Sequence, residues 1–189
     1  MTVVDALVLV DLQVRFVAGD AAVPDAAALL TTVAGLLDRA RTAGSLVVHL
    51  QNDGAPGCVD EPGRPGWALH FPPAADEPVV RKRHDDGFRD TELERLLRSR
   101  HTVRPALAGL MSEMCVSATA RAAMDRGFDV VLAHDCHATY DIPAAAGFGP
   151  AVPAAVVARV AEWALGDAVR LVPSAVGVEF GRVRASAGS

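Results

Sequence analysis

A chain of 189 residues with 51% apolar content is long enough to close one domain around a sizeable core. Its formal charge of −5 and pI near 5.6 leave no basic patch, so nucleic acid is excluded as an expected partner. No apolar run reaches the roughly 18 residues of a membrane span, no basic region precedes the N-terminal apolar stretch as in a signal peptide, and three irregularly spaced cysteines suit a reducing compartment; a cytoplasmic protein with no membrane partner is expected.

Short apolar runs alternate with helical patterns. Ala6–Val10 reads as a fully buried strand ending at Asp11. Ala26–Ala43 has helical spacing, with Leu29, Leu30, Val33, Leu36, Leu37 and Ala40 on one side and Gly44 as its stop. Ser45–Leu50 is the second strand. The Gly/Pro-rich stretch from Asn52 to Pro78 has the character of a functional loop. Glu77–Arg81 reads as a third strand leading into Lys82, and Thr91–Arg100 as an amphipathic helix with Leu93, Leu96 and Leu97 inward. Val103–Leu110 reads as a fourth strand, Glu113–Arg126 as a helix and Phe128–Ala133 as a fifth strand. Pro153–Leu165 follows as a helix and Ala168–Val172 as a sixth strand. Runs of Val and Leu without alternation, separated by helices, indicate a doubly wound α/β fold: a mostly parallel six-stranded sheet with helices on both faces. One domain over residues 1–184 is expected, with the small, polar residues 185–189 as a flexible tail.

In such sheets ligands bind beyond the carboxyl ends of the strands, where the strand order reverses. Asp11 ends the first strand, Lys82 follows the third and Cys115 opens the helix after the fourth, so three residues distant in sequence point at one sheet edge. Lys82 is the only lysine against seventeen arginines. Its ammonium is a compact point charge with rotatable donors, which a planar guanidinium cannot imitate. A first-turn position would expose Cys115 to the helix dipole and lower its thiol pKa. A carboxylate at the buried rim needs a cation beside it. A Cys–Asp–Lys set makes chemical sense, with the aspartate taking the thiol proton and the thiolate attacking an electrophilic carbon. Spacing alone leaves the packing role of a buried cysteine equally open.

Three segments carry a resemblance. Val8-Leu9-Val10-Asp11-Leu12-Gln13 with Phe16 is one; Lys82 to Phe88 with Thr91 and Leu93 is another. The third is Gly109-Leu110-Met111-Ser112-Glu113-Met114-Cys115-Val116 with Thr119-Ala120-Arg121 and Asp125-Arg126-Gly127. In this order they resemble the isochorismatase-like cysteine hydrolases over nearly the whole chain. The resemblance implies Cys115 as nucleophile, Asp11 as proton-transfer base and Lys82 as the cation that holds both. It also implies a non-proline cis peptide between Leu110 and Met111, which aims the Met111 and Cys115 N–H groups at the substrate oxygen. Attack on an amide carbonyl, loss of the amine and hydrolysis of a thioester would follow. Metal-binding nicotinamidases of the family carry an aspartate and histidines after the second strand, whereas Gln51 to Gly57 has no histidine, so no metal and no cofactor is implied. Members that cleave the isochorismate vinyl ether generally lack the cysteine, so Cys115 favours C–N hydrolysis. Asn52 to Gly57 and Pro65-Gly66-Trp67 are similar to a subgroup of bacterial cysteine amidohydrolases that includes streptothricin hydrolase, which opens a lactam. A small-molecule substrate and a homo-oligomer, foremost a dimer, are implied as partners. The rival readings are an isochorismate-type ether hydrolase and a catalytically idle, ligand-binding relative.

Phe16, Trp67, Phe88 and Tyr140 fall on loops at one end of the sheet, where they would either wall the substrate pocket or anchor the loops. Glu113 would contact substrate or merely complement the helix dipole. Asp85-Asp86 reads as a solvated turn and Cys58 as a loop thiol. His134-Asp135-Cys136-His137 follows the fifth strand in this reading, with side chains too divergent for a joint metal site.

Overall fold

Ala6–Val10 is five apolar residues without alternation, and all five are buried, as a strand covered on both faces requires. The computed structural model describes residues 1–183; the tail expected at 185–189 lies outside them. In chain order the elements are β1 (Thr2–Val4), β2 (Ala6–Val10), α1 (Val14–Val17), α2 (Ala26–Thr42), β3 (Leu46–Asn52), β4 (Val79–Lys82), α3 (Leu93–Ser99), β5 (Pro105–Leu110), α4 (Ser117–Asp125), β6 (Val131–Ala138), α5 (Ala154–Ala164), β7 (Arg170–Val172) and β8 (Val178–Phe180). The main sheet runs β4-β3-β2-β5-β6-β7, with every pairing parallel. Strand order reverses between β2 and β5, which opens the crevice expected to hold the ligand.

The pleat of β2 divides the core. Leu7 and Leu9 pack with Leu29, Val33, Leu36 and Leu37 of α2. Ala6, Val8 and Val10 pack with Leu93 and Leu97 of α3 and Ala120 and Ala123 of α4. At the crevice β5 approaches β2 so closely that a Cβ on Gly109, where φ is +139°, would lie 1.9 Å from the Val10 carbonyl oxygen. Only glycine fits there.

Four features depart from the sequence reading. β1 and β8 form a separate two-stranded parallel pair, too short to leave a pattern. α1 is a single turn directly after the Asp11 segment. The helix expected from Glu113 begins as a π-helical turn, Ser112–Val116, before α4. β6 extends through His137, because its register against β5 jumps from Leu107↔Leu132 to Gly109↔His137, five residues answering two. The bulge absorbs His134, Asp135 and Cys136, which the sequence pattern placed after the strand.

Glu77, read as the start of the third strand, is instead a buried clamp before it. Its carboxylate accepts from Arg41 at 2.7 and 2.9 Å, from the Ala74 N–H at 2.9 Å, and lies 2.9 Å from His49 Nε2. The Arg41 hydrogen bonds, foremost, hold its pKa at about 2, against 4.5 unperturbed. A depressed folded-state pKa adds stability that is complete above the unfolded value and lost as pH falls through the folded one. Chemical denaturation between pH 5 and 2 is therefore expected to show a steep loss in the wild type. Glu77→Gln should cost about 1–3 kcal/mol near neutrality and flatten that acid limb.

Candidate active site

Asp11 is the first residue after β2 and turns the chain through φ +50°, a left-handed conformation that aspartate tolerates better than most residues. Its side chain is buried, and Oδ2 accepts a hydrogen bond from Lys82 Nζ at 2.7 Å. Lys82 ends β4 and is itself buried. Its ammonium also donates to Cys115 Sγ at 3.2 Å and to the His84 carbonyl at 3.2 Å, so all three of its donors are used. The three residues inferred from sequence thus converge, and Lys82 is the bridge. The Leu110–Met111 peptide is cis, as the resemblance implied.

Two buried arrays frame this centre. Gln13, fully buried, donates to the carbonyls of Asn52 and Trp67 at 3.0 Å each and accepts from the Asn52 N–H at 2.8 Å. It ties the end of β2 to the end of β3 and to the long loop. Behind the Cys115 turn, Ser112 Oγ lies 2.8 Å from His137 Nδ1, and His137 Nε2 lies 3.1 Å from Glu162 Oε1 on α5. His134 Nδ1 reaches the same oxygen at 2.6 Å. Burial pushes the Glu162 carboxyl upward, but the hydrogen bonds from His137 and His134 outweigh it and hold its pKa below the usual range. The divergent strand-end side chains expected at 134–137 are corrected: the β6 bulge turns both histidines onto one carboxylate. Among the described residues no group of three His, Cys, Asp or Glu side chains has the arrangement to hold a metal ion.

The charge state of Cys115 also differs from the sequence reading. Desolvation raises the thiol pKa, and the Asp11 carboxylate raises it further, against the opposing pull of Lys82. The helix dipole does not decide the matter, because Cys115 sits within a half-buried π turn beside a carboxylate. Burial also raises Asp11, partly offset by Lys82. Lys82 is raised because Asp11 and Cys115 outweigh its own desolvation. Burial and the Asp11 carboxylate thus favour the protonated thiol, while Lys82 favours the charged form of both its partners. Among the described residues Asp11 Oδ1 is buried without a hydrogen-bond partner, so one carboxylate oxygen is open to a proton.

The expected aromatic wall is corrected in part. Phe88 is a core residue, buried and stacked 6.1 Å from Phe128, with Arg126 4.7 Å over its ring. Glu113 accepts from Thr139 Oγ1 at 2.9 Å and borders a cavity between α4 and α5 whose walls include none of the three central residues. Positions two apart on a helix face opposite ways, so Glu113 cannot share the side of Cys115. Trp67 is an anchor, its Nε1 donating to Asp53 at 3.1 Å and its ring covered by Arg81. Tyr140 donates its hydroxyl to the Ala21 carbonyl at 2.7 Å. Phe16 is half-buried against the α2-side core. Asp85, read as a solvated turn, instead places Oδ1 3.5 Å from Cys115 Sγ.

The family model for the isochorismatase domain matches residues 5–149. The chain belongs to the isochorismatase family. Two streptothricin hydrolases from Streptomyces noursei are 59% and 58% identical to it over 179 residues, 94% of this chain. The chain spans 65% of the length of the first and 71% of the second. The crystal structure of an isochorismatase from Pseudomonas putida KT2440 superposes with a TM-score of 0.84 at 27% identity, covering 92% of this chain and 90% of that one. That of a cysteine hydrolase from Pseudomonas syringae pv. phaseolicola 1448A gives 0.78 at 25%, covering 88% and 86%.

The charges flanking Cys115 yield a test with opposite signs. Asp11→Asn removes the negative charge that raises the thiol, so the pH midpoint of Cys115 alkylation by iodoacetamide should fall by about one unit or more. Lys82→Met should raise it by a similar amount. Midpoints unchanged in both variants would mean that desolvation alone sets the thiol.

Proposed function

We propose that this isochorismatase-family protein is a cofactor-free cysteine hydrolase that cleaves the C–N bond of a small amide or lactam through a thioester on Cys115. The observation that carries this reading is the Lys82 ammonium hydrogen-bonded at once to Asp11 Oδ2 and Cys115 Sγ. An ether hydrolase that forms no acyl-enzyme has no use for a half-buried thiol held in this way.

The chemistry runs through Asp11 as a proton store. The thiol proton passes to Asp11, whose raised pKa suits a carboxylate that must take and return it. The thiolate, held by Lys82, attacks the carbonyl carbon, and the oxyanion forms against the N–H groups of Met111 and Cys115. Collapse breaks the C–N bond while Asp11 protonates the departing nitrogen. Water then gives its proton to Asp11 as its oxygen attacks the thioester, and the sulfur leaves to be reprotonated. With a lactam, the freed amine stays on the acyl fragment, and the ring opens with the gain of one water.

The Streptomyces noursei relatives make streptothricin the first substrate to test. Incubation with the wild type should give a product heavier by one water in the mass spectrum. Cys115→Ala should lower the rate by at least about 10³-fold. Retention of most activity by Cys115→Ala would sink the thioester mechanism in favour of the ether-hydrolase branch. Tight binding without turnover by either protein would support the idle, ligand-binding relative.

A further inference from the structure

We infer that Asp85 is a specificity-determining residue of the Cys115 site, selecting substrates that carry a cationic group, an ammonium or guanidinium, close to the scissile C–N bond. The inference rests on the hydrolase reading for its substrate, while its test reads the site without turnover.

Asp85 Oδ1 stands 3.5 Å from the nucleophile sulfur, yet the side chain is exposed rather than built into the core. It is positioned through its backbone. The Asp85 carbonyl accepts from Thr119 Oγ1 at 3.2 Å, and the same hydroxyl accepts from the Gly87 N–H at 3.0 Å. A Cβ on Gly87 would lie 2.5 Å from Leu50 Cδ1 and 3.0 Å from Thr119 Oγ1, so a larger residue would have to displace both side chains. The loop is thus fixed against β3 and α4 without using the Asp85 carboxylate. Its neighbour has the opposite arrangement: Asp86 spends its side chain on the Phe88 N–H at 2.8 Å.

The basic side chains near Asp85 in sequence are directed elsewhere. Arg81 pairs with Asp53, Lys82 with Asp11, and His84 and Arg89 both with Asp90. Arg83 lines a separate pocket with Asp53 and Glu61. Lys82 balances Asp11, while the Asp85 carboxylate accepts from the Cys115 thiol at 3.5 Å and so brings a second negative charge to the sulfur. A unit charge at this range favours a cation over an anion by about an order of magnitude at the edge of solvent, so a substrate group brought to Sγ lies within its reach. Asp85 also bears on Asp11, adding to the rise of its pKa, which agrees with a negative charge directed into the site.

Charged methanethiosulfonates test this at the sulfur itself. The thiolate attacks the sulfenyl sulfur, a mixed disulfide forms, and methanesulfinate leaves with the bonding pair. Exposed Cys58 is replaced by serine and Cys136 is buried, so mass spectrometry reads Cys115 alone. The rate ratio of the trimethylammonium-ethyl to the sulfonato-ethyl reagent cancels the thiolate fraction, which both share. In Asp85→Asn this ratio should fall about 3- to 10-fold, with the wild-type ratio kept in Asp85→Glu and held within about two-fold in Asp86→Asn. A ratio unmoved in Asp85→Asn overturns the inference. So does an equal fall in Asp86→Asn, which would trace the preference to the diffuse charge of the loop. Failure of the hydrolase reading shows separately, in the turnover of Cys115→Ala.

Discussion

An ammonium removed from water must find partners for every proton it carries, and Lys82 finds three: a carboxylate, a sulfur and a carbonyl. This requirement shapes the site. Lys82 ends β4, while Asp11 ends β2, with β3 between them in the sheet. Neighbouring strands lie about 4.8 Å apart, so two such gaps separate the backbones, and the four-carbon stem and the Asp11 side chain span them together through their 2.7 Å hydrogen bond. A guanidinium of similar reach would present a flat fork, which cannot aim separate donors at three acceptors lying in different directions. The one lysine in a chain that otherwise uses arginine is at the position where that geometry is required.

The nucleophile turn is gripped from both sides. Lys82 and Asp85 approach Cys115 from the β4 side, while Ser112, in the same turn, is tied through His137 to Glu162 on α5. The second array exists because β6 bulges. Three extra residues between Leu132 and His137 carry the His137 ring to a depth where it meets both Ser112 and a buried carboxylate. An ionised Glu162 so far from water survives only with donors around it, and the two imidazoles and Arg159 supply them. The turn's position is thus set by hydrogen bonds that run through three elements rather than by the helix that follows it.

Much of this was legible before any coordinates. The unbroken apolar run at Ala6–Val10 and the apolar stretch that closes Val103–Leu110 indicate central parallel strands, and the strand-end rule places Asp11, Lys82 and Cys115 together. What escaped was whatever depends on register or on rotation within a turn. No period in the sequence announces a three-residue bulge, so His134 and His137 were placed beyond the strand, and Glu162 had no visible tie to Ser112. Phe88 was assigned to the pocket because its segment is a loop, whereas Gly87 lets that loop dive into the core and carry the ring to Phe128. Asp85 and Asp86 are indistinguishable as a pair of acids. Only the backbone shows that one caps an N–H and the other faces the sulfur. Gln13 was visible within a motif, but its role as a clamp depends on the end of β3, which the apolar pattern stopped at Leu50.

The thiol shows most clearly how a local rule yields to its surroundings. A cysteine near a helix start is expected to ionise readily, yet ionising Cys115 beside an ionised Asp11 would leave a buried centre with one excess negative charge that Lys82 alone cannot balance. Burial and the carboxylate therefore push the thiol pKa upward and favour the proton on sulfur. Moving that proton to Asp11 keeps the total charge constant, exchanging a carboxylate–ammonium pair for a thiolate–ammonium pair around the same nitrogen. Such an exchange needs little rearrangement, because Lys82 already touches both acceptors and Asp11 Oδ1 has no competing partner. In the proposed mechanism nucleophilicity would appear only when that proton moves, so reactivity would follow the fit of a substrate carbonyl rather than the exposure of the sulfur.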